Sequence, residues 1–126
     1  MKNHPHSFSF ISLKVFIIDI FYLLKSPVFI LLTILGNSLI GFFSLIFYWL
    51  EKESNPKLHH FMDALWWGFS TATTTGYGDI TPHTQQGKML GILLMLTGMA
   101  LFGMFTALFA ETILASARQK NPSSLG

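Results

Sequence analysis

Residues 27–50 run for 24 positions without a charge, and residues 89–114 form a second apolar run of 26, broken by a charge only at Glu111 near its end. At 1.5 Å per residue a helix over the first run reaches roughly 36 Å, enough to cross a ~30 Å hydrocarbon core with some tilt. A bilayer leaves such runs little choice, because backbone groups without water must bond within their own helix. The segment between the runs contains a stretch that does not read as helix, Thr73 to Asp79, TTTGYGD. Non-helical backbone at membrane depth is tolerated only where it is buried in protein or lines a cavity.

That stretch suits a line of backbone carbonyls aimed at one axis. Turning successive carbonyls the same way needs backbone angles that alternate between ordinary and left-handed regions, and Gly76 and Gly78 take positive φ without steric cost. Thr74 adds a hydroxyl at the inner end. Rings of such oxygens replace the hydration shell of a cation. Thr74, Thr75, Gly76, Tyr77 and Gly78, followed by Asp79 and preceded by Trp66-Trp67 in a helix-like approach, resemble the selectivity filter of the bacterial two-transmembrane-helix potassium channels. The sequence departs from that pattern at Thr75, where valine is commonest, and at Ser70, where some members carry a glutamate paired with the filter aspartate. The resemblance implies K+ held by the carbonyls of Thr74, Thr75, Gly76 and Tyr77 and by the Thr74 hydroxyl, with Gly78 at the mouth. By the same analogy Trp66, Trp67, Ser70 and Asp79 support the filter, and Trp67 is the expected brace for Asp79. Thr75 is expected to change packing behind the filter rather than ion identity.

Composition agrees with a membrane protein: 51% of residues are hydrophobic and 11% charged. A formal charge of +2, scattered along the chain, does not suggest nucleic acid, and without cysteine there is no disulfide framework or thiolate metal site. No nucleophile with an adjacent base is found, and Gly87-Lys88 lacks the rest of a phosphate loop. The expectation is therefore no enzyme and no organic cofactor. Lys14 and Asp19 interrupt the N-terminal apolar stretch and no small-residue cleavage site follows it, so it reads as retained.

In chain order, residues 1–7 read as a polar tail, with a solvated tail preferred over a metal-binding pair for His4 and His6. Residues 8–24 read as a helix lying at the cytoplasmic interface, the alternative being an extra spanning helix that turns through Lys25 and Ser26 alone. Residues 1–26 form this N-terminal region, 27–116 a pore domain and 117–126 a tail. Within the pore domain the expected elements are an outer helix over 27–50, a re-entrant pore helix over 62–73, the filter at 74–78 and an inner helix over 88–116. Ser26-Pro27 is a cap followed by a proline at the first helical position. Gly36 and Gly41 are expected at close helix approaches. Residues 51–60 read as an outer polar loop whose histidines, with His83, are solvated rather than pH-sensing. Asp63 complements the dipole of the pore helix, and residues 80–87 return the chain with Pro82 and Gly87 as breakers. The inner segments carry Lys2, Lys14, Lys25, Arg118 and Lys120 against Asp19 and Glu111, whereas the outer ones are net acidic, which favours both termini in the cytoplasm of a cell membrane protein.

One strand of carbonyls cannot enclose an ion, and the chain has no internal repeat. Rotational closure is the economical solution, and the resemblance implies a homotetramer in the lipid bilayer. Met99, Phe102, Thr106 and Ala110 share a helical face and fall where the resembling channels place cavity-lining residues, the alternative for Met99 and Phe102 being packing between subunits. Gly98 falls at the family's inner-helix hinge and reads equally as a packing notch. Glu111 reads as reaching water at the membrane edge, or as drawing cations to the inner mouth. With one arginine in the chain a built-in voltage sensor is not expected, leaving either a minimal channel or one separated from a regulatory module. The expected function is potassium-selective conduction. The alternatives are a nonselective cation channel, a potassium-uptake transporter subunit and a non-conducting membrane partner.

Overall fold

The computed structural model describes residues 10–120, and side chains for 14–115. The described chain is all helical: α1 (Phe10–Leu24), α2 (Pro27–Glu51), α3 (Phe61–Ala72) and α4 (Gln85–Lys120). Two of these helices, over Pro27–Glu51 and Gln85–Ala115, are long and apolar enough to cross a membrane. The polar tail 1–7, with its His4 and His6, lies outside the described residues, as does most of the tail 117–126.

Two compact units divide the chain. The first combines the described residues up to Ile30 with those from Thr106 onward. In it, α1 and α2 are separated by Lys25 and Ser26, and the Ser26 hydroxyl accepts the Phe29 amide at 3.2 Å, the capping role its place before Pro27 suggests. Phe29 meets Phe109 edge-on at 6.0 Å. Lys25 folds its ammonium over the Phe21 ring at 4.3 Å.

The second unit, Leu31–Phe105, holds the core. The short helix α3 is wedged between α2 and α4 and buries Ala64, Trp67 and Ala72. Phe47 of α2 and Trp67 of α3 stack at 3.6 Å with 10° between their planes, both almost without solvent contact, and Ile40, Leu58 and Leu94 close around them. Polar side chains on the spanning helices satisfy themselves locally: Ser44 Oγ donates to the Ile40 carbonyl at 2.7 Å and Thr97 Oγ1 to that of Leu93 at 2.8 Å. The start of α3 is fixed by Asp63, whose carboxylate accepts both the His60 and His59 amides at 2.8 Å. Those two bonds, the His60 one first, hold its carboxyl below the ordinary carboxylate range.

Helix approaches depart from the expected glycines. Gly36 stands at ordinary contact distance, with a β-carbon there 3.6 Å from Leu101, and around Gly41 nothing lies within 4 Å. Tight approaches are found instead at Gly68, where a β-carbon would collide with the Ser44 hydroxyl of α2, and at Gly98, where it would fall 2.5 Å from the Ala72 carbonyl oxygen and 2.7 Å from its Cα. At Gly98 α4 lies against the end of α3 with no side chain between them.

Candidate functional site

The chain leaves α3 at Thr73 and at once adopts an alternating backbone. Thr74, Gly76 and Gly78 have φ of 61°, 54° and 76°, and among the described non-glycine residues only Thr74 is left-handed. The two glycines behave as their chemistry requires. Thr74 does so against its β-carbon, at a cost of about 1–2 kcal/mol, and was not anticipated. Alternation of hand residue by residue is the arrangement that turns successive carbonyls toward one side rather than to both, as a strand would.

Hydrogen bonds to α3 hold this backbone from behind. The Gly76 amide donates to the Ser70 carbonyl at 2.9 Å and the Thr74 amide to that of Thr71 at 3.1 Å. The Ser70 hydroxyl is turned back to the Trp67 carbonyl at 3.0 Å, so Ser70 supports the stretch through its main chain. The Thr75 hydroxyl lies 2.9 Å from that of Thr73, which also donates to the Phe69 carbonyl. A polar link thus stands where a valine would offer only packing.

The Tyr77–Asp79 end of the stretch is braced by Trp66. Its Nε1 donates to Asp79 Oδ2 at 2.8 Å, and its ring stacks on Tyr77 at 5.1 Å with 18° between planes. That indole bond is the main cause holding the Asp79 carboxyl below its ordinary range. The expectation of a Trp67 brace is therefore corrected. Trp67 points into the core against Phe47, and the neighbouring tryptophan, about 100° around the helix, reaches the aspartate.

Sequence reasoning missed Glu51, read as the start of an outer loop. It is the last residue of α2 and fully buried. Its Oε1 accepts the Thr84 amide at 2.8 Å and the Thr84 hydroxyl at 2.5 Å, and its Oε2 accepts the His83 amide at 2.8 Å. Asn55 approaches the same carboxylate at 3.5 Å and donates to the Thr81 carbonyl at 2.9 Å. One carboxylate thereby ties the end of the first span to the N-terminus of the second, where a negative charge is favoured. Thr84 also accepts the Gly87 amide at 2.9 Å, which caps α4 at Gln85 and places Gly87 inside its first turn instead of at a break. The available signal was a threonine just ahead of the run, a capping residue type.

On α4, Met99 and Phe102 are strongly exposed in the protomer, at 59% and 65%. Thr106 and Ala110, in the other unit, are exposed as well. Glu111 lines a cavity with Asp19, Tyr22 and Ser26. Residues Thr73 to Asp79 are exposed throughout.

Residues 35–115 match the family described as "Ion channel". The chain belongs to this ion-channel family. It is similar to the human potassium voltage-gated channel subfamily KQT member 4, with 41% identity over 91 residues, 65% of this chain and 13% of the relative. It is also similar to a voltage-gated potassium channel of Aeropyrum pernix, 50% identical over 48 residues, 38% of this chain and 16% of that one. A solved voltage-gated K+ channel pore module in a closed state matches with a TM-score of 0.52 and 36% identity, covering 70% of this chain and 92% of the module. The chain thus spans a small part of these curated relatives and nearly the whole of an isolated pore. Ion channels are not enzymes, and the two long apolar helices are those of a membrane protein of the potassium-channel pore family.

Proposed function

We propose that the chain is the pore-forming subunit of a potassium-selective channel and acts as a homotetramer. The observation that carries this reading is the left-handed backbone at Thr74, Gly76 and Gly78, separated by residues of ordinary hand. Four such strands around an axis offer stacked rings of carbonyl oxygens from Thr74, Thr75, Gly76 and Tyr77, with the Thr74 hydroxyl below and Gly78 at the mouth. A K+ ion exchanges water for these oxygens at each ring and passes to the next, and binding at several weak sites lets it leave. Exposure of the whole Thr73 to Asp79 segment in the protomer supports the assembly, since polar backbone at this depth needs protein or a water-filled cavity beside it.

In this arrangement Met99, Phe102, Thr106 and Ala110 line the cavity below the filter, and Gly98 sets the approach of the inner helix to the filter base. Residues 27–116 form the pore domain, α1 rides at the interface, and both termini face the cytoplasm of a cell membrane. Purified protein in liposomes should take up rubidium against a potassium gradient and exclude sodium. Gly78→Ala should abolish that uptake, because φ of 76° is strained for any β-carbon even where the space is open. Equal sodium and rubidium uptake would refute selectivity, and full uptake by Gly78→Ala would refute the filter.

A further inference from the structure

The chain has no cysteine, so its oxidisable sulfur is carried by six methionines. Met62, Met89, Met95, Met99 and Met104 have described side chains, and all are exposed in the protomer, from 48% at Met104 to 68% at Met62. Exposure alone singles out none of them. Position does. Met62 and Met89 stand in the first turns of α3 and α4, whereas Met95, Met99 and Met104 lie deeper in the second span. Of these three, Met99 follows Gly98, whose backbone lies against Ala72 at the end of α3. Its side chain therefore leaves α4 next to the residue that leads into Thr73 and the left-handed Thr74. Phe102, almost one turn further on, is exposed on the same side. Met104 lies about 140° around the helix from Met99.

We propose that Met99 is a modification site, oxidised to the sulfoxide by hydroperoxides such as hydrogen peroxide, and that the change raises conduction. The inference rests on the pore reading above, in which Met99 faces the water-filled cavity below the filter. A peroxide is polar and stays with water rather than hydrocarbon, so a methionine turned toward lipid at this depth is shielded and one on the cavity is not. In the reaction a sulfur lone pair forms the new S–O bond as the peroxide O–O bond breaks. The thioether is oxidised by two electrons, and hydrogen peroxide is reduced, its second oxygen leaving as water. The product replaces a flexible apolar side chain with a strongly polar one. An apolar ring of Met99 and Phe102 is a place where a pore can lose its water. Sulfoxide oxygens there accept hydrogen bonds from water and turn negative dipole ends toward a passing cation.

The test treats the full chain in liposomes with hydrogen peroxide and follows the added oxygen at each methionine by tandem mass spectrometry. Each rate is divided by that of the same residue in the chain unfolded in urea and dodecyl sulfate, which removes differences in local sequence. Met99 should be oxidised at least about fivefold faster than Met104 on this scale. Rubidium uptake by the treated wild type should rise about twofold or more, while treated Met99→Leu should keep its own untreated level. Oxidation of Met99 no faster than that of Met104, as when a neighbouring copy covers it, would overturn the proposal. So would an equal rise in Met99→Leu, or wild-type uptake that does not rise once Met99 is oxidised. The pore reading is checked apart from this, by the preference of the untreated protein for rubidium over sodium.

Discussion

The buried carboxylate of Glu51 makes a sharp test of how the two spans are joined. Its Oε1 takes two short bonds from Thr84, and its Oε2 takes the His83 amide and the more distant Asn55 amide. Glu51→Gln keeps the shape but exchanges one oxygen for an NH2 group. The remaining oxygen should stay with Thr84, where two bonds of 2.8 and 2.5 Å compete for it, so the NH2 must face the His83 amide, donor against donor. An amide left without its acceptor costs about 1–3 kcal/mol, and each 1.4 kcal/mol is tenfold in an equilibrium constant.

Native-state hydrogen exchange in detergent reads this locally. The His83 amide should lose protection by roughly 5- to 100-fold in Glu51→Gln while the Thr84 amide stays close to wild type. Glu51→Ala strips both amides, and the two losses together should reach about 2–6 kcal/mol, visible as a fall in melting temperature. If His83 exchanged in Glu51→Gln within twofold of its wild-type rate, the claim that this carboxylate holds the start of α4 would be wrong.

Other contacts give shorter tests. Gly98→Ala should destabilise the protein by about 1–3 kcal/mol, because its methyl meets the Ala72 backbone. Gly103→Ala, with nothing within 4 Å, should be neutral or stabilising by up to about 1 kcal/mol, and equal melting shifts in the two would contradict the notch. Trp66→Phe keeps the ring on Tyr77 and removes the donor to Asp79, so the Asp79 carboxyl should titrate at higher pH in carbon NMR, and an unmoved titration would show that the indole bond is not its main cause. Asp63 has a depressed carboxyl in the folded chain. The stability it contributes is therefore present above the unfolded-state value and lost as pH falls through the folded one, so exchange at the His59 and His60 amides should quicken over that acidic interval and not in Asp63→Asn. Thr75→Val removes the link to Thr73 while leaving its main chain in place, and rubidium uptake should keep its preference over sodium.

The parts of this fold legible in sequence were those decided by local chemistry over many residues. Two long apolar runs, the second with one charge near its end, read as spans, Ser26-Pro27 reads as a helix start, and Gly76 and Gly78 announce positive φ, as found. The parts that were not legible depend on a partner far along the chain. Whether Trp66 or Trp67 reaches Asp79 is a question of about 100° of rotation, and it is answered by Phe47, which takes Trp67 as its stacking partner. Glu51 looks like the first residue of a polar loop until Thr84, 33 positions later, supplies its donors. Gly87 looks like a breaker until the same carboxylate stands where its side chain would be.

Thr74 shows a different limit. Its residue type argues against the φ it adopts, and the conformation persists because the surrounding bonds over-determine it: the Thr74 amide is held by Thr71 and the Gly76 amide by Ser70, both from the rigid end of α3. A glycine would relax the backbone there and lose the hydroxyl. The strained backbone thus rests on two main-chain bonds to a helix that itself lies against α4 at Gly98 without a side chain between.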